Sequence, residues 1–155
     1  MIAAGPIVPQ RPRGCGDGRR EHDAMTVELK MLVFASVLLF AIIMVQATAS
    51  MRVHGPAKLG GNRDDLGPPS AYEGRVKRVV ANHIENLVIF APLLLVAVAA
   101  QLTGHLTALA AQLFFWGRLA HAILYLAGVA YVRTLAAVVS TAGLVILMLV
   151  DLKLV

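Results

Sequence analysis

Hydrophobic positions in this chain do not alternate with polar ones as in a soluble core. They are gathered into four long blocks separated by short polar stretches. The blocks run over Met31–Met51, about Val79–Ala100, about Leu106–Ala127 and about Thr134–Val150. Each comes close to the roughly 20 residues that a helix needs to cross the hydrocarbon of a bilayer. The pattern predicts an all-α integral membrane protein, a four-helix bundle joined by short connections. Residues 25–155 form this transmembrane domain. Residues 1–24, rich in Gly, Pro and Arg, show no hydrophobic period and read as a disordered basic tail. Met25 opens a stretch that looks like a natural start.

Three details sharpen the pattern. The first block resembles a signal-peptide core, with small residues at Ala47 and Ala49. Its uncharged run nevertheless exceeds the roughly 7–15 residues of such a core, so a retained helix is expected. Residues 52–77 read as the longest connection. Pro92 falls inside the second block and is expected to kink it. Ala136 and Ser140 form a small-xxx-small pair that favours close helix contact.

Composition agrees with the pattern: 58% of the 155 residues are hydrophobic and 15% charged, against roughly 25% charged in soluble domains. The net charge of +5 reports orientation. With residues 1–24 and their four arginines set aside, Arg52, Lys58, Arg63, Arg75, Lys77, Arg78 and Arg133 fall at one end of the bundle, and only Lys30 and Lys153 at the other. The excess places that end at the cytoplasmic face. The basic residues are not interleaved with aromatics, so no nucleic-acid partner is expected. Cys15 stands alone, no metal-ligand spacing appears, and no glycine loop cradles phosphate.

Polar residues interrupt two blocks with helical spacing. Arg78, Asn82 and Glu85 share one face of the second helix, with Asn86 beside them. Arg118, His121 and Tyr125 form a stripe on the third. An ionisable group at membrane depth costs roughly 2.5–3.5 kcal/mol on insertion scales, so these groups need partners. Pairing of Arg118 or Arg78 with Glu85 meets that need. Helices of alternating direction bring all these groups to one end, together with Arg52, Arg133 and Thr134. The opposite halves read as almost wholly apolar. A pore needs polar groups through its full depth; this layout describes a pocket open to one side. Taken singly, Arg78 and Lys77 could be interfacial anchors, Asn82 and Asn86 packing contacts, and His121 a core histidine.

The run R-x-x-x-N-x-x-E-N at Arg78–Asn86 resembles the MAPEG family, the membrane-associated proteins in eicosanoid and glutathione metabolism. "GNRDDLGPP", "FFWGRLAHAILYLAG" and "YVRTLA" resemble three further family segments in the same order. The resemblance implies a homotrimer with glutathione as co-substrate, bound between subunits near the cytoplasmic end. It implies that Arg78, Asn82 and Glu85 hold glutathione, that His121 and Tyr125 line the same site, and that Arg133 activates the thiol. Thr134 follows as a possible hydroxyl donor, and Arg52 corresponds loosely to a helix 1 arginine. The second substrate would be a lipophilic electrophile or lipid hydroperoxide entering from membrane lipid. Ala81, Thr134 and Ala137 depart from residues found in some members, which leaves the particular reaction open. The competing class is a non-catalytic membrane protein whose polar stripes serve packing and oligomerisation.

Overall fold

The computed structural model describes residues 25–62 and 66–154. The amino-terminal tail, and with it Cys15, lies outside the described residues, as do Arg63, Asp64 and Asp65 of the first connection. Four helices follow in chain order: α1 (Val27–Gly60), α2 (Ala71–Ala99), α3 (His105–Ala127) and α4 (Ala130–Asp151). All four are long and apolar enough to span a membrane.

Helices α1 and α2 reach well past the apolar blocks that announced them. α1 has 34 residues, and the part before Gly55 alone rises about 42 Å at 1.5 Å per residue, against roughly 30 Å of hydrocarbon. Much of the segment expected as connection is therefore helix: α1 continues to Gly60 and α2 begins at Ala71. Thr26 and Ser70 cap these helices, their hydroxyls accepting the amide hydrogens of Leu29 and Glu73. The break in direction lies in α1, where Gly55 takes φ +77° just before Pro56. α2 passes through Pro92 without a non-helical residue. The α3–α4 connection is only Gly128 and Val129, with Gly128 left-handed at φ +82°.

Helices α2 and α3 each touch the other three, whereas α1 and α4 do not meet among the described residues. The core is built from Phe90, Leu94, Phe114, Leu144 and Leu147 around the small residues Ala35, Ala97 and Ala110. Phe90 and Phe114 stack with centroids 3.8 Å apart. Helix α1 meets this core along a narrow seam, Glu28, Ala35, Ile42 and Ala49, one buried residue every seventh position.

Helices α3 and α4 approach backbone to backbone. A Cβ added at Gly117 would sit 2.7 Å from the Ser140 nitrogen and 2.9 Å from the Ala136 carbonyl oxygen. One added at Gly143 would sit 2.5 Å from the Ala110 carbonyl oxygen. The pair Ala136 and Ser140 thus does bring two helices together. Between lipid tails, association rests on such close packing because no water is released from between the helices.

Polar ties hold α1 at both ends. Near the start of α2, the buried Glu73 carboxylate accepts from Ser50 Oγ at 2.7 Å and pairs with Lys77 Nζ at 2.9 Å and His54 Nε2 at 3.2 Å. At the other end, the Thr107 hydroxyl accepts the Gly104 amide hydrogen and donates to Glu28 Oε1, both at 2.7 Å. The far end is therefore not bare of polar groups: it carries a buried carboxylate used to dock α1 onto α3.

Gly143→Ala is expected to destabilise the protein by about 1–3 kcal/mol through overpacking against backbone. Gly60→Ala, with nothing within 4 Å of its added Cβ, serves as control and is expected to leave the thermal midpoint in detergent unchanged or slightly raised. Glu73→Ala should release the carboxy-terminal part of α1, seen as faster proteolysis after residue 50 with α2–α4 intact.

Candidate functional site

The end of the bundle that gathers the termini of α1 and α3 and the starts of α2 and α4 holds most of the charge. Arg78 lies two turns into α2, Tyr125 in the last turn of α3, and Arg133 in the first turn of α4. The three meet. Arg78 Nε donates to Tyr125 Oη at 3.0 Å. The Arg133 guanidinium stands 4.3 Å above the Tyr125 ring, within the range of a cation–π contact. One phenol thus positions a cation from each of two helices. They open on a groove of about 510 Å³, lined by Ser70, Gly74, Arg75, Arg78, Tyr125 and Arg133 among others.

His121 stands behind this surface, edge-on to the Tyr125 ring with centroids 5.5 Å apart. Its Nδ1 is 3.0 Å from the Arg133 carbonyl oxygen. A carbonyl only accepts, so Nδ1 carries the hydrogen and donates. This bond ties the last part of α3 to the first turn of α4 and fixes the backbone from which Arg133 extends.

Asn82 and Arg118 form a second pair further in. Arg118 is only 2% exposed, and its Nη2 donates to Asn82 Oδ1 at 2.8 Å. Asn86 turns back on its own helix and donates to the Asn82 carbonyl at 2.8 Å. The partners expected for Glu85 are thereby taken elsewhere, Arg78 by Tyr125 and Arg118 by Asn82. Glu85 acts on Arg118 only through space and is exposed on the protomer surface. Helical spacing sets the angle at which each residue leaves the helix; it does not specify which rotamer reaches which neighbour.

Five expected residues do not line the groove: Asn82 and His121 lie behind it, and Arg52, Glu85 and Thr134 stand apart from it. Arg52 lines a different one of about 420 Å³, with Met44, Val45, Val53 and Tyr72, and the two grooves share only Ser70. Thr134 is exposed and is not among the groove's lining residues, and Glu85 likewise lies outside that wall. Arg75 is the residue that sequence reasoning passed over: it lines the groove one turn before Arg78. The spacing Arg75-x-x-Arg78 carried that signal, but residue 75 had been read as connection rather than helix. No group of three or more His, Cys, Asp or Glu suited to a metal occurs among the described residues.

Four apolar helices with arginine, histidine and tyrosine at one end are matched by the model of the MAPEG family over residues 31–152. The chain belongs to the MAPEG family. No curated protein and no solved structure gives a significant match. Membership makes this a multi-pass integral membrane protein of a family associated with eicosanoid and glutathione metabolism. The matched region takes in all the residues of the groove, from Pro69 to Arg133.

Asn82→Ala would leave the Arg118 guanidinium without its hydrogen-bonded partner. A cost of about 1–3 kcal/mol is expected for that buried donor, read as a lower thermal midpoint. Tyr125→Phe keeps the ring beneath Arg133 and removes only the acceptor of Arg78, and should shift the midpoint less.

Proposed function

We propose that this MAPEG protein is a glutathione-dependent transferase or peroxidase acting on a lipophilic electrophile at the membrane. The observation that carries the reading is the convergence of Arg78 and Arg133 on Tyr125 at the wall of an open groove. Glutathione brings two carboxylates, one ammonium and a thiol. Arg75 and Arg78 suit its carboxylates, since guanidinium groups pair with them in bidentate fashion. Glu85 suits the ammonium, and Asn82, held by Arg118, stiffens the helix face between them.

The reactive species is the thiolate, and an ordinary cysteine thiol has a pKa of about 8.5. Lowering it by one unit takes about 1.4 kcal/mol of preference for the anion. Arg133 is the group assigned to that task. Its position over Tyr125, and the His121 bond to its carbonyl, restrict where its charge sits. Tyr125 Oη accepts from Arg78, which leaves its own hydrogen free to donate to a sulfur anion. In a transfer reaction the thiolate forms a C–S bond and the electrophile releases its leaving group or takes up a proton. In a peroxidase reaction two thiols give a disulfide while the hydroperoxide becomes an alcohol and water. The apolar helix faces beside the groove suit a second substrate arriving from lipid. Thr134 is retained as a hydroxyl donor only for a ligand that extends beyond the groove.

We further infer that the working unit is the homotrimer and that the groove faces the cytoplasm. Arg52, Arg78 and Glu85 are all exposed on the single protomer, and an uncovered Glu85 within an apolar helix is costly. A neighbouring copy covering that face would relieve the cost and bring its Arg52 within reach of a shared site. The excess of Lys and Arg at the groove end supports the orientation. A purely structural role for the polar stripes is favoured at Asn82, Asn86 and His121, whose hydrogen bonds stay inside the bundle.

Calorimetry on the detergent-purified protein is expected to show glutathione binding, weakened by Arg78→Ala and by Glu85→Gln. Arg133→Ala should lower turnover with a model electrophile by at least about tenfold, the equivalent of about 1.4 kcal/mol of lost anion stabilisation, with the oligomer intact on native mass spectrometry. No binding and no turnover in the unmodified protein, with Arg133→Ala dissolving the oligomer, would instead support the structural class.

A further inference from the structure

Helices α2 and α3 carry three buried polar atoms that make no hydrogen bond within the protomer: His83 Nδ1, Arg118 Nε and His121 Nε2. Their side chains are 0%, 2% and 6% exposed. Arg118 and His121 are one turn apart on α3, and Arg118 reaches across to Asn82, which precedes His83 on α2. His83 also lies within charge–charge range of both Arg118 and His121. Free buried polar atoms are costly, most of all inside a bilayer.

The hydrogen bonds that do form decide what could satisfy them. His83 Nε2 is 3.1 Å from the Ala35 carbonyl oxygen, so Nε2 carries the hydrogen. His121 is the opposite tautomer, with Nδ1 donating to the Arg133 carbonyl. In each neutral ring the remaining nitrogen is an acceptor, whereas Arg118 Nε is a donor. The set is therefore mixed, two acceptors and one donor. A bare anion would meet lone pairs on both rings. Water both donates and accepts, and buried waters typically make about three hydrogen bonds to such orphaned groups.

We propose that the bundle interior between α1, α2 and α3 binds water through His83, Arg118 and His121, so that the polar site continues inward as a hydrated core. The inference does not rest on thiol chemistry. It gives His83, which no part of the groove uses, a role as the inner acceptor of that core. It also explains how a guanidinium with one side-chain hydrogen bond persists at membrane depth.

Water-edited solid-state NMR of the full chain in bilayers, labelled with ¹⁵N at His and Arg, tests this. The His83 and His121 rings are expected to be neutral and of opposite tautomer. Water magnetisation is expected to reach both rings and Arg118 Nε several-fold faster than the Phe90 amide in the apolar core. His83→Phe should slow transfer to Arg118 Nε and leave transfer to His54 unchanged; should that variant not fold, the unmodified protein alone decides. Transfer to His83 as slow as to Phe90 would overturn the proposal. So would doubly protonated rings whose shifts follow chloride concentration, the signature of an anion site.

Discussion

The contact on which the rest of the structure depends is the backbone approach of α3 and α4 at Gly117 and Gly143. Neither helix could come this close with a side chain at either glycine, because the space is already filled by backbone atoms of the facing helix. Two such contacts, separated along the pair, fix register as well as distance. Register is what the candidate site needs. A shift of one helix along the other would separate His121 from the Arg133 carbonyl and Arg133 from the Tyr125 ring, contacts of 3.0 and 4.3 Å that tolerate little sliding. The short Gly128–Val129 connection closes the same pair at the site end, its left-handed glycine letting α4 turn back at once. The groove wall from α3 and α4 is thus set by small residues that carry no chemistry themselves.

Helix α2 divides its polar residues between two neighbours. Glu73 serves α1, gathering Ser50 and His54 from that helix and Lys77 from its own. Arg78 and Asn82 serve α3, reaching Tyr125 and Arg118. The buried carboxylate near the start of α2 therefore steadies the helix that presents the arginines on its other side. Lys77 and Arg78 are adjacent in sequence yet act in different places, since successive positions on a helix point about 100° apart. That division explains why a count of positive charge at this end overstates the charge facing the groove.

The four spans were legible in the sequence because the bilayer demands long apolar blocks, and the one-ended stripe was legible because helical spacing is fixed. The role of Ala136 and Ser140 was also readable, though their partner Gly117 became evident only in three dimensions. Helix ends were misread for a physical reason. Hydropathy reports the thickness of the hydrocarbon, whereas a helix continues into the polar zone for as long as its backbone and caps allow. Residues 52–60 and 71–77 are helical without being apolar, and with them went Arg75 and the Glu73 cluster. Partner choice was hidden for a different reason. Arg118 has Asn82 and Glu85 on the same facing helix, one turn apart, and side-chain reach rather than charge decides between them. His83 was invisible because its partner is the backbone carbonyl of Ala35, which leaves no trace in residue type.

The protomer is also unevenly closed. Helix α1 buries one residue in seven against the bundle, and large apolar side chains such as Val37 and Phe40 stay exposed. For these, lipid is as good a neighbour as protein, and nothing drives their further burial. Glu85 is different. Its carboxylate emerges from the apolar run that begins at Val79, on a face with no protomer partner in hydrogen-bond reach, and hydrocarbon cannot solvate it. The two kinds of exposed surface therefore make unequal demands: the apolar one is indifferent to company, and the ionic one requires it. A partner surface for this protein is best sought where Glu85 and Arg78 emerge, not where the largest hydrophobic side chains do.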